Sequence, residues 1–298
     1  MCRGITTMWK VLLTGASGFL GRKIMDLWDN RQMMLFASTG NPNKITRNDV
    51  AIISREDTLN TYFDLSQFDI IINCAFPMTT DGLAFFEGLD YIQKLIQRAE
   101  KSGVKYFVNI SSQSVYDPLR KSAAMEEDML CLRDQYSVGK YTVESMMTAI
   151  CRDMHYTSIR LGSLIGPELE ARIVNRFVLS AVTNHKIKVV KGYQLFQYLD
   201  VQDAARGIVE FCKYINNEGL QKVYNLGGND SYTVMELANM VCEVGTNQGL
   251  SKVDIMVEDS EIYTNNSLNS DRFFERTKWK PEITMIESIN KIYRYLLH

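Results

Sequence analysis

Short runs of β-branched and aromatic residues alternate with stretches of helical periodicity along the first half of the chain. This alternation is typical of βαβ units, in which parallel strands are joined by helices. One run, at residues 68–74, is apolar almost throughout, as expected for a strand buried on both faces. The pattern predicts strands at 9–14, 33–38, 50–53, 68–74, 105–110 and 156–161. It predicts helices at 21–29, 90–101 and 125–153, and a short one opening at 54–57.

Beyond residue 166 the periodicity loosens. Here the pattern predicts helices at 172–183 and 203–214 and strands at 188–190 and 223–226. Two more helices are expected in 233–298, around a segment rich in Asn and Ser. The fold class is therefore α/β with a parallel sheet, and any second domain should be small and interleaved with the first.

Composition narrows the function classes. The 298 residues carry 33 Lys+Arg against 35 Asp+Glu, so the clustered positive charge that binds nucleic acid is absent. No window is long and apolar enough for a membrane span, and residues 1–8 lack the apolar core of a signal peptide, so we expect a cytoplasmic protein. The six cysteines and three histidines are scattered, which predicts neither a metal site nor a Ser-His-Asp nucleophile.

A glycine-rich loop joins the first predicted strand to the first predicted helix. Gly15 permits the tight turn, Gly18 lets the backbone approach a diphosphate, and Gly21 lets the helix pack closely on the strand. The helix that follows presents free N–H groups and the positive end of its dipole to an anion. We therefore predict a dinucleotide site formed by Gly15, Ser17, Gly18, Phe19, Leu20 and Gly21.

The end of the second predicted strand bears on the choice of cofactor. An acidic residue there would bind the ribose hydroxyls of NAD, but the strand ends in Ser38 and Thr39. These hydroxyls can bind either a ribose or a 2′-phosphate, and Arg47 is near in sequence. The predicted cofactor is NAD(P), with a slight preference for NADP.

Tyr136 and Lys140 are spaced so that both project from one face of a helix. With 15 tyrosines in the chain, about one such pair arises by chance, so position must decide. The pair comes one helix after a strand ending in Ser111 and Ser112, at the carboxyl edge of a parallel sheet, where ligands bind. An adjacent ammonium lowers the pKa of a phenol. We predict Tyr136 as acid/base, Lys140 as its charged partner and a ligand of the nicotinamide ribose, and Ser112 as hydrogen-bond partner of the substrate oxygen.

Several motifs follow one another in a recognisable order. They are the loop from Thr14 to Gly21, Asn73-Cys74-Ala75, Ser111-Ser112 with Val115-Tyr116, Tyr136-x-x-x-Lys140, Arg160 with Gly166-Pro167, and the segment from Tyr198 to Asp203. The chain resembles the extended short-chain dehydrogenases/reductases of the NAD-dependent epimerase/dehydratase family over essentially its whole length.

The resemblance implies a Rossmann doubly wound parallel sheet with a smaller, interleaved C-terminal α/β substrate domain. The NAD(P)-binding domain would span 1–165 with a returning segment near 197–226, and the substrate domain 166–196 and 227–298. The resemblance also implies that Asn73, Cys74 and Ala75 contact the cofactor, that the substrate is a nucleotide sugar, and that two copies form a homodimer through the long helices.

The chain departs from the family's pattern at the first catalytic hydroxyl. Members that eliminate water carry Asp-Glu immediately after it, whereas this chain has Gln113 and Ser114. A 4,6-dehydratase is therefore disfavoured. What remains is an epimerase or a keto-reductase acting on a secondary alcohol or ketone of a nucleotide sugar, with Gln113 near the substrate.

Two more departures concern the nucleotide of the substrate. The family's Asn before Gly-Pro falls at Ser163, and its diphosphate-binding Arg falls at Phe196. Arg172, Arg176 and Arg272 are the candidate replacements. These departures leave two alternatives open, namely an NAD(P)-dependent reductase of a non-nucleotide carbonyl compound and a non-catalytic cofactor-binding protein.

Overall fold

The computed structural model describes residues 8–297, in which eleven strands and eight α-helices form. The strands are β1 (Lys10–Thr14), β2 (Met34–Thr39), β3 (Ala51–Ser54), β4 (Ile70–Asn73), β5 (Tyr106–Ser112), β6 (His155–Leu161), β7 (Ser163–Ile165), β8 (Lys186–Asp200), β9 (Val223–Leu226), β10 (Ser231–Thr233) and β11 (Asp254–Asn265). The helices are α1 (Phe19–Leu27), α2 (Gly82–Ser102), α3 (Gln135–Ile150), α4 (Ile173–Asn184), α5 (Val201–Lys213), α6 (Val234–Asn247), α7 (Asp271–Thr277) and α8 (Met285–Leu297).

Seven strands form one parallel sheet in the order β3-β2-β1-β4-β5-β6-β9. The chain first adds β2 and β3 on one side of β1 and then returns to add β4 on the other. The carboxyl ends of β1 and β4 therefore flank a topological switch point, where α/β sheets bind their ligands. All seven strands were predicted from the sequence, and the α/β, Rossmann-like fold class is confirmed.

The chain folds as two compact units, each with its own apolar core. Of the described residues, the first contains 8–115, Arg133–Arg160 and Ile208–Tyr224. The second contains Tyr116–Leu132, Leu161–Gly207 and 225–297, and its smaller sheet is built on β8, which pairs with β7, β10 and β11. The domain boundaries given above stay a prediction.

The predicted helix over 125–153 is wrong in its first third. Helix α3 begins at Gln135, because the Asp134 side chain accepts the backbone N–H of Ser137 at 2.7 Å and the Ser137 hydroxyl accepts the backbone N–H of Asp134 at 3.2 Å. Upstream, the Glu126 carboxylate accepts the backbone N–H of Asn225, a tertiary contact that holds this segment out of helical form. This pair of reciprocal hydrogen bonds is a capping box, which marks the start of a helix. The apolar periodicity continues upstream of it and therefore predicted a start that was too early.

The second half of the chain contains more strand than its pattern predicts. Strand β8 spans fifteen residues instead of three, and β7, β10 and the twelve-residue β11 were not predicted. Strand β11 was hidden because most of its side chains are exposed and four are acidic. Gly192 interrupts the apolar pattern of β8, but it is required there, because a Cβ at this position would lie 2.4 Å from the Ile262 carbonyl oxygen of β11. The tail also holds three helices rather than two, α6, α7 and α8.

Helix α2 begins eight residues before the predicted start. The Asp81 side chain caps it by accepting the Ala84 N–H at 2.8 Å. Gly82 and Gly88 weaken the helical pattern in the first turns, since glycine disfavours helix by about 1 kcal/mol. Gly88 nevertheless suits the position, because a Cβ there would lie 2.6 Å from the Pro77 side chain.

Within residues 8–297, no helix is long and apolar enough to cross a membrane. Over the same stretch, no three His, Cys, Asp or Glu side chains meet as a candidate metal site. The five cysteines found there are free thiols. Cys2, His298 and most of the segment on which the signal-peptide expectation rests lie outside the described residues.

Candidate active site

The glycine-rich loop is folded tightly against the end of β4. Gly15 has a φ of +67°, and a Cβ on it would lie 2.6 Å from the Ala75 backbone nitrogen. A Cβ on Gly21 would lie 2.3 Å from the Gly15 carbonyl oxygen. Gly18 is the N-cap of α1, so no side chain occupies the amides of the first helical turn. The loop is therefore a side-chain-free cradle with helix N–H groups at its base, as a dinucleotide diphosphate requires.

We expect Gly15→Ala to weaken NAD binding at least tenfold and to lower the melting temperature. The change combines backbone strain, about 1–2 kcal/mol for a left-handed non-glycine residue, with the clash against Ala75. Gly103→Ala is the matched control, because Gly103 has a φ of +75° and no atom within 4 Å of its Cβ position. Calorimetric titration with NAD should find the control unchanged, and equal losses of affinity in both variants would contradict a cradle at Gly15.

The end of β2 contacts this loop through the Thr39 hydroxyl, whereas the Ser38 hydroxyl donates to the Ser54 carbonyl of β3 at 3.5 Å. Thr39 donates a hydrogen bond to the Ser17 hydroxyl at 2.6 Å, and it accepts the Asn41 N–H at 2.9 Å. Ser38 is buried. Arg47 donates to the Met25 and Trp28 carbonyls at the end of α1 and pairs with Asp49. The expected help of Arg47 toward a 2′-phosphate is therefore not realised, because its guanidinium is engaged elsewhere.

A row of hydrogen-bonded side chains crosses the sheet from β1 to β6. Thr14 donates to Asn73 at 2.8 Å, Asn73 donates to Asn109 at 3.1 Å, and Asn109 donates to Ser158 at 3.3 Å. Both polar atoms of the Asn73 side chain are thus bonded within the sheet. The Cys74 N–H donates to the Thr14 carbonyl, which continues the pairing of β4 with β1 by one residue.

Tyr136 and Lys140 lie on the first turns of α3, as predicted, and face the end of β5. The Lys140 ammonium donates to the Ile110 carbonyl at 2.8 Å and lies 5.7 Å from the Tyr136 ring centroid. Two residues after Ile110, the Ser112 hydroxyl accepts the Ser114 N–H at 3.2 Å and the Ser114 hydroxyl at 3.0 Å. The first unit therefore brings the three predicted catalytic residues to the carboxyl end of β5.

A buried ion pair one helical turn beyond Lys140 ties α3 to the sheet. The Glu144 carboxylate accepts Arg160 at 3.0 and 2.7 Å and the Ser111 hydroxyl at 2.5 Å. Both charged side chains are less than a tenth exposed. Because Ser111 adjoins Ser112 and Glu144 follows Lys140 on one helix face, this cluster fixes the strand end relative to α3. Glu144 is not among the site residues predicted from the sequence, although its four-residue spacing from Lys140 places both on one helix face.

Lys140 is almost fully buried. Burial lowers its pKa to about 8, while the Glu144 carboxylate opposes this fall. Burial also raises the pKa of Cys74 to about 12, so this thiol is neutral near physiological pH. The lysine is thus an ammonium at neutral pH that titrates a short way above it.

Gln113 lies in the first unit beside the catalytic residues, whereas the other predicted substrate residues lie in the second. There, Ser163 accepts a hydrogen bond from Asn266 at 3.0 Å. Phe196 stacks on Tyr198 at 6.1 Å. Arg272 pairs with Glu127 and lies 3.8 Å from the Glu126 carboxylate, so two acids balance its charge.

Arg172 differs from Arg272 in its surroundings. It is the exposed N-cap residue of α4, and among residues 8–297 its guanidinium takes part in no ion pair. Burial raises the pKa of Tyr198 to about 12, and the charge of Arg172 nearby opposes that rise. The charge of Arg172 therefore acts on the hydroxyl of Tyr198, whose ring stacks on Phe196.

The sequence model of the "NAD dependent epimerase/dehydratase family" matches residues 11–227 of this chain. The chain belongs to this family. A dTDP-glucose 4,6-dehydratase of Streptomyces griseus is 26% identical over 155 residues, which cover 51% of this chain and 46% of that protein. The chain is thus matched to less than half the length of this relative.

Solved structures of family-like proteins have the same fold. A UDP-N-acetylglucosamine 4-epimerase from Bacillus cereus matches with a TM-score of 0.79 at 18% identity, covering 97% of this chain and 96% of that one. A dTDP-glucose 4,6-dehydratase from Bacillus anthracis in complex with NAD matches at 0.78 and 18%, with coverage of 97% and 96%. A UDP-glucose 4-epimerase from Thermotoga maritima with UDP-glucose matches at 0.78 and 20%, with coverage of 97% and 98%.

Proposed function

We propose that this family member is an NAD-dependent enzyme that oxidises a secondary alcohol, or reduces a ketone, of a nucleotide sugar, as an epimerase or keto-reductase. The observation that carries the proposal is the grouping of Ser112, Tyr136 and Lys140 at the end of β5 with no carboxylate at positions 113 and 114. Ser114 instead bonds to the Ser112 hydroxyl. Elimination of water needs an added acid and base at these positions, so the serine and glutamine favour simple redox chemistry.

Tyr136, Lys140 and Ser112 have different roles in the proposed proton transfer. The Lys140 ammonium favours the phenolate form of Tyr136, which then takes the proton from a sugar hydroxyl as that carbon is oxidised. In the reverse direction the phenol of Tyr136 returns a proton to the ketone oxygen. Ser112 hydrogen-bonds the same substrate oxygen and stabilises its developing charge.

The glycine cradle fits the diphosphate of NAD, with the backbone of Gly15, Gly18 and the first turn of α1 as its ligands. When bound, NAD supplies the chemistry of accepting and returning a hydride. The family's NAD dependence and the NAD complexes among similar structures support NAD. They give no support to the slight preference for NADP, and the engagement of Arg47 with α1 argues against a 2′-phosphate site.

We further propose that Arg172 takes the place of the diphosphate-binding arginine missing at Phe196. Its charge lies near the Phe196–Tyr198 stack, whereas the charge of Arg272 is balanced by two carboxylates. We expect Arg172→Gln to weaken the binding of UDP or TDP at least tenfold, because one charge-assisted hydrogen bond contributes about 1.5–3 kcal/mol. The control is Arg294→Gln, at an exposed arginine on α8 of the same unit that was not a candidate for the site. Unchanged UDP and TDP binding by the Arg172 variant would remove Arg172 from the site.

A thermal-shift screen of UDP-, TDP-, GDP- and CDP-sugars, with NAD and NADP, tests the substrate class. A ligand at 100 times its dissociation constant adds about 2.7 kcal/mol to the free energy of unfolding. Each stabilising sugar would then be incubated with the protein and its products separated. Stabilisation by NAD but by no nucleotide sugar, with turnover of a simple ketone, would favour the non-nucleotide reductase instead.

Product analysis separates the remaining reactions. An epimerase interconverts two sugars without net change in NADH, whereas a keto-reductase consumes one NADH for each ketone. Formation of a 4-keto-6-deoxy sugar would overturn the argument from Gln113 and Ser114. Absence of any turnover despite NAD binding would favour the non-catalytic alternative.

We also propose that two copies associate through the outer faces of α2 and α3, which pack on each other. These faces expose apolar side chains, with Leu83 and Phe86 about 70% exposed and Val138 45%. Phe86→Glu should place a charge in the contact and give a monomer in light scattering, against twice the 34.2 kDa chain mass for the parent protein. Tyr62→Glu, at a 96% exposed aromatic elsewhere in the first unit, is the control. A monomeric parent protein would refute the contact.

A further inference from the structure

Phe76, three residues beyond the end of β4, touches both Tyr136 and Lys140. Its ring centroid lies 4.1 Å from the Lys140 ammonium nitrogen. The same ring meets the Tyr136 ring at 5.3 Å and 81°. Phe76 is half-buried, and none of the sequence motifs includes it.

The Phe76 ring is confined by its neighbours. It packs edge-on against Phe85 of α2, with ring centroids 6.0 Å apart. Gly139 supplies the necessary space, because a Cβ there would lie 3.0 Å from Phe76 and 2.4 Å from Phe85. A side chain at position 139 would therefore push the Phe76 ring away from Lys140. The contact between Phe76 and Lys140 thus depends on the glycine at this position.

The groups around the Lys140 ammonium come from three elements. The Ile110 carbonyl of β5 accepts its hydrogen bond. The Cys74 thiol, after β4, lies near it in neutral form, and the carboxylate of Glu144, on α3, acts on its charge. Glu144 is already bonded to Arg160 and Ser111, and Tyr136 is the remaining titratable neighbour on α3. The π face of Phe76 completes this shell by attracting the cation without neutralising it.

We propose that Phe76 is a positioning residue whose ring keeps Lys140 in the ammonium form and holds Tyr136 against it. The inference rests on the proposed function for its effect on catalysis, but its effect on Lys140 can be measured without substrate. A cation over an aromatic ring is stabilised most where water is excluded, which is the situation of this buried lysine.

The direction of the effect follows from the charge that the ring stabilises. Burial already places the pKa of Lys140 at about 8. Removing the ring removes stabilisation of the ammonium, so the pKa falls further and the lysine loses its proton at lower pH. Tyr136 then loses the adjacent positive charge, and activity declines earlier as the pH rises.

The test compares Phe76→Leu with Phe76→Tyr and Phe85→Leu. Leucine removes the ring, tyrosine keeps it, and Phe85→Leu alters packing behind Phe76 without touching Lys140. The Lys140 side-chain signal, assigned with Lys140→Met, is titrated by NMR of ¹⁵N-lysine-labelled protein without substrate. We expect Phe76→Leu to lower the midpoint by about 0.5–1.5 pH units, while the two other variants leave it unchanged.

Activity provides the second readout. We expect the alkaline limb of log kcat to move by the same amount in Phe76→Leu, with KM within twofold and full recovery in Phe76→Tyr. An unmoved Lys140 midpoint overturns the proposal, as does tighter NAD binding or faster turnover by Phe76→Leu, which would make the ring an obstruction. Should Phe76→Leu fail to fold, Phe76→Met carries the same test. If the proposed function is wrong, no variant turns over, yet the midpoint still shifts.

Discussion

Tyr136→Phe should lower turnover by about 10²–10⁴-fold, the range over which a positioned acid/base accelerates proton transfer. The phenyl ring keeps the contact with Phe76, so only the hydroxyl is lost. NAD affinity should stay within twofold, because Lys140 and the glycine cradle are untouched. Steady-state kinetics on the substrate found by the thermal-shift screen, with calorimetry for NAD, provides both quantities.

Tyr141→Phe is the matched control for this experiment. Tyr141 lies on the same helix but is 36% exposed and points away from the buried face. The control should keep full activity. Retention of more than a tenth of the activity by Tyr136→Phe would require another group to move the proton.

Glu144→Leu should destabilise the protein by about 3–5 kcal/mol, the effect of leaving one partner of a buried ion pair uncompensated. The variant leaves the Arg160 guanidinium less than a tenth exposed without its carboxylate, and it removes the acceptor of the Ser111 hydroxyl. Urea unfolding followed by circular dichroism measures the loss as a fall in the midpoint concentration.

Two comparisons show whether burial causes that loss. The double variant Glu144→Leu/Arg160→Leu removes both charges and should recover much of the stability, since apolar replacement of a buried pair is often neutral or favourable. Asp90→Ala breaks the exposed Lys94–Asp90 pair and should cost less than about 1 kcal/mol. A double variant no more stable than Glu144→Leu would mean that shape, not charge, decides the effect.

The sequence pattern predicted the strands of the large sheet and the shared helix face of Tyr136 and Lys140, because both depend on residues close together in the chain. The central strands of the large sheet are buried on both faces, so their apolar runs stand out against the polar loops; β4 is the clearest case. The spacing of Tyr136 and Lys140 predicted a shared helix face, and the position of Ser112 at a strand end predicted its proximity. These features depend on the 3.6-residue helical repeat and on the parallel arrangement of the sheet.

Contacts between residues far apart in the sequence could not be predicted from the local pattern of apolar and polar residues. A mid-helix glutamate such as Glu144 usually faces solvent, and its burial depends on Arg160 from the following strand. Phe76 reaches Lys140 because of the path of the loop after β4 and the missing side chain at Gly139. Strand β11 pairs with a strand about 70 residues earlier, and its exposed, acidic face hides that pairing.

Each of the two units is built from segments that are far apart in the sequence, so neither can fold completely until late in synthesis. Strands β1 to β5 are complete once residue 112 has been made, but β6 and β9, which extend the same sheet, follow only at 155–161 and 223–226. Until then the emerging chain carries β5 as an open edge, whose unpaired backbone N–H and C=O groups can pair with other chains. Because each unit draws on three separate stretches, no single cut yields either one intact. Attempts to express one unit alone should therefore produce aggregated protein.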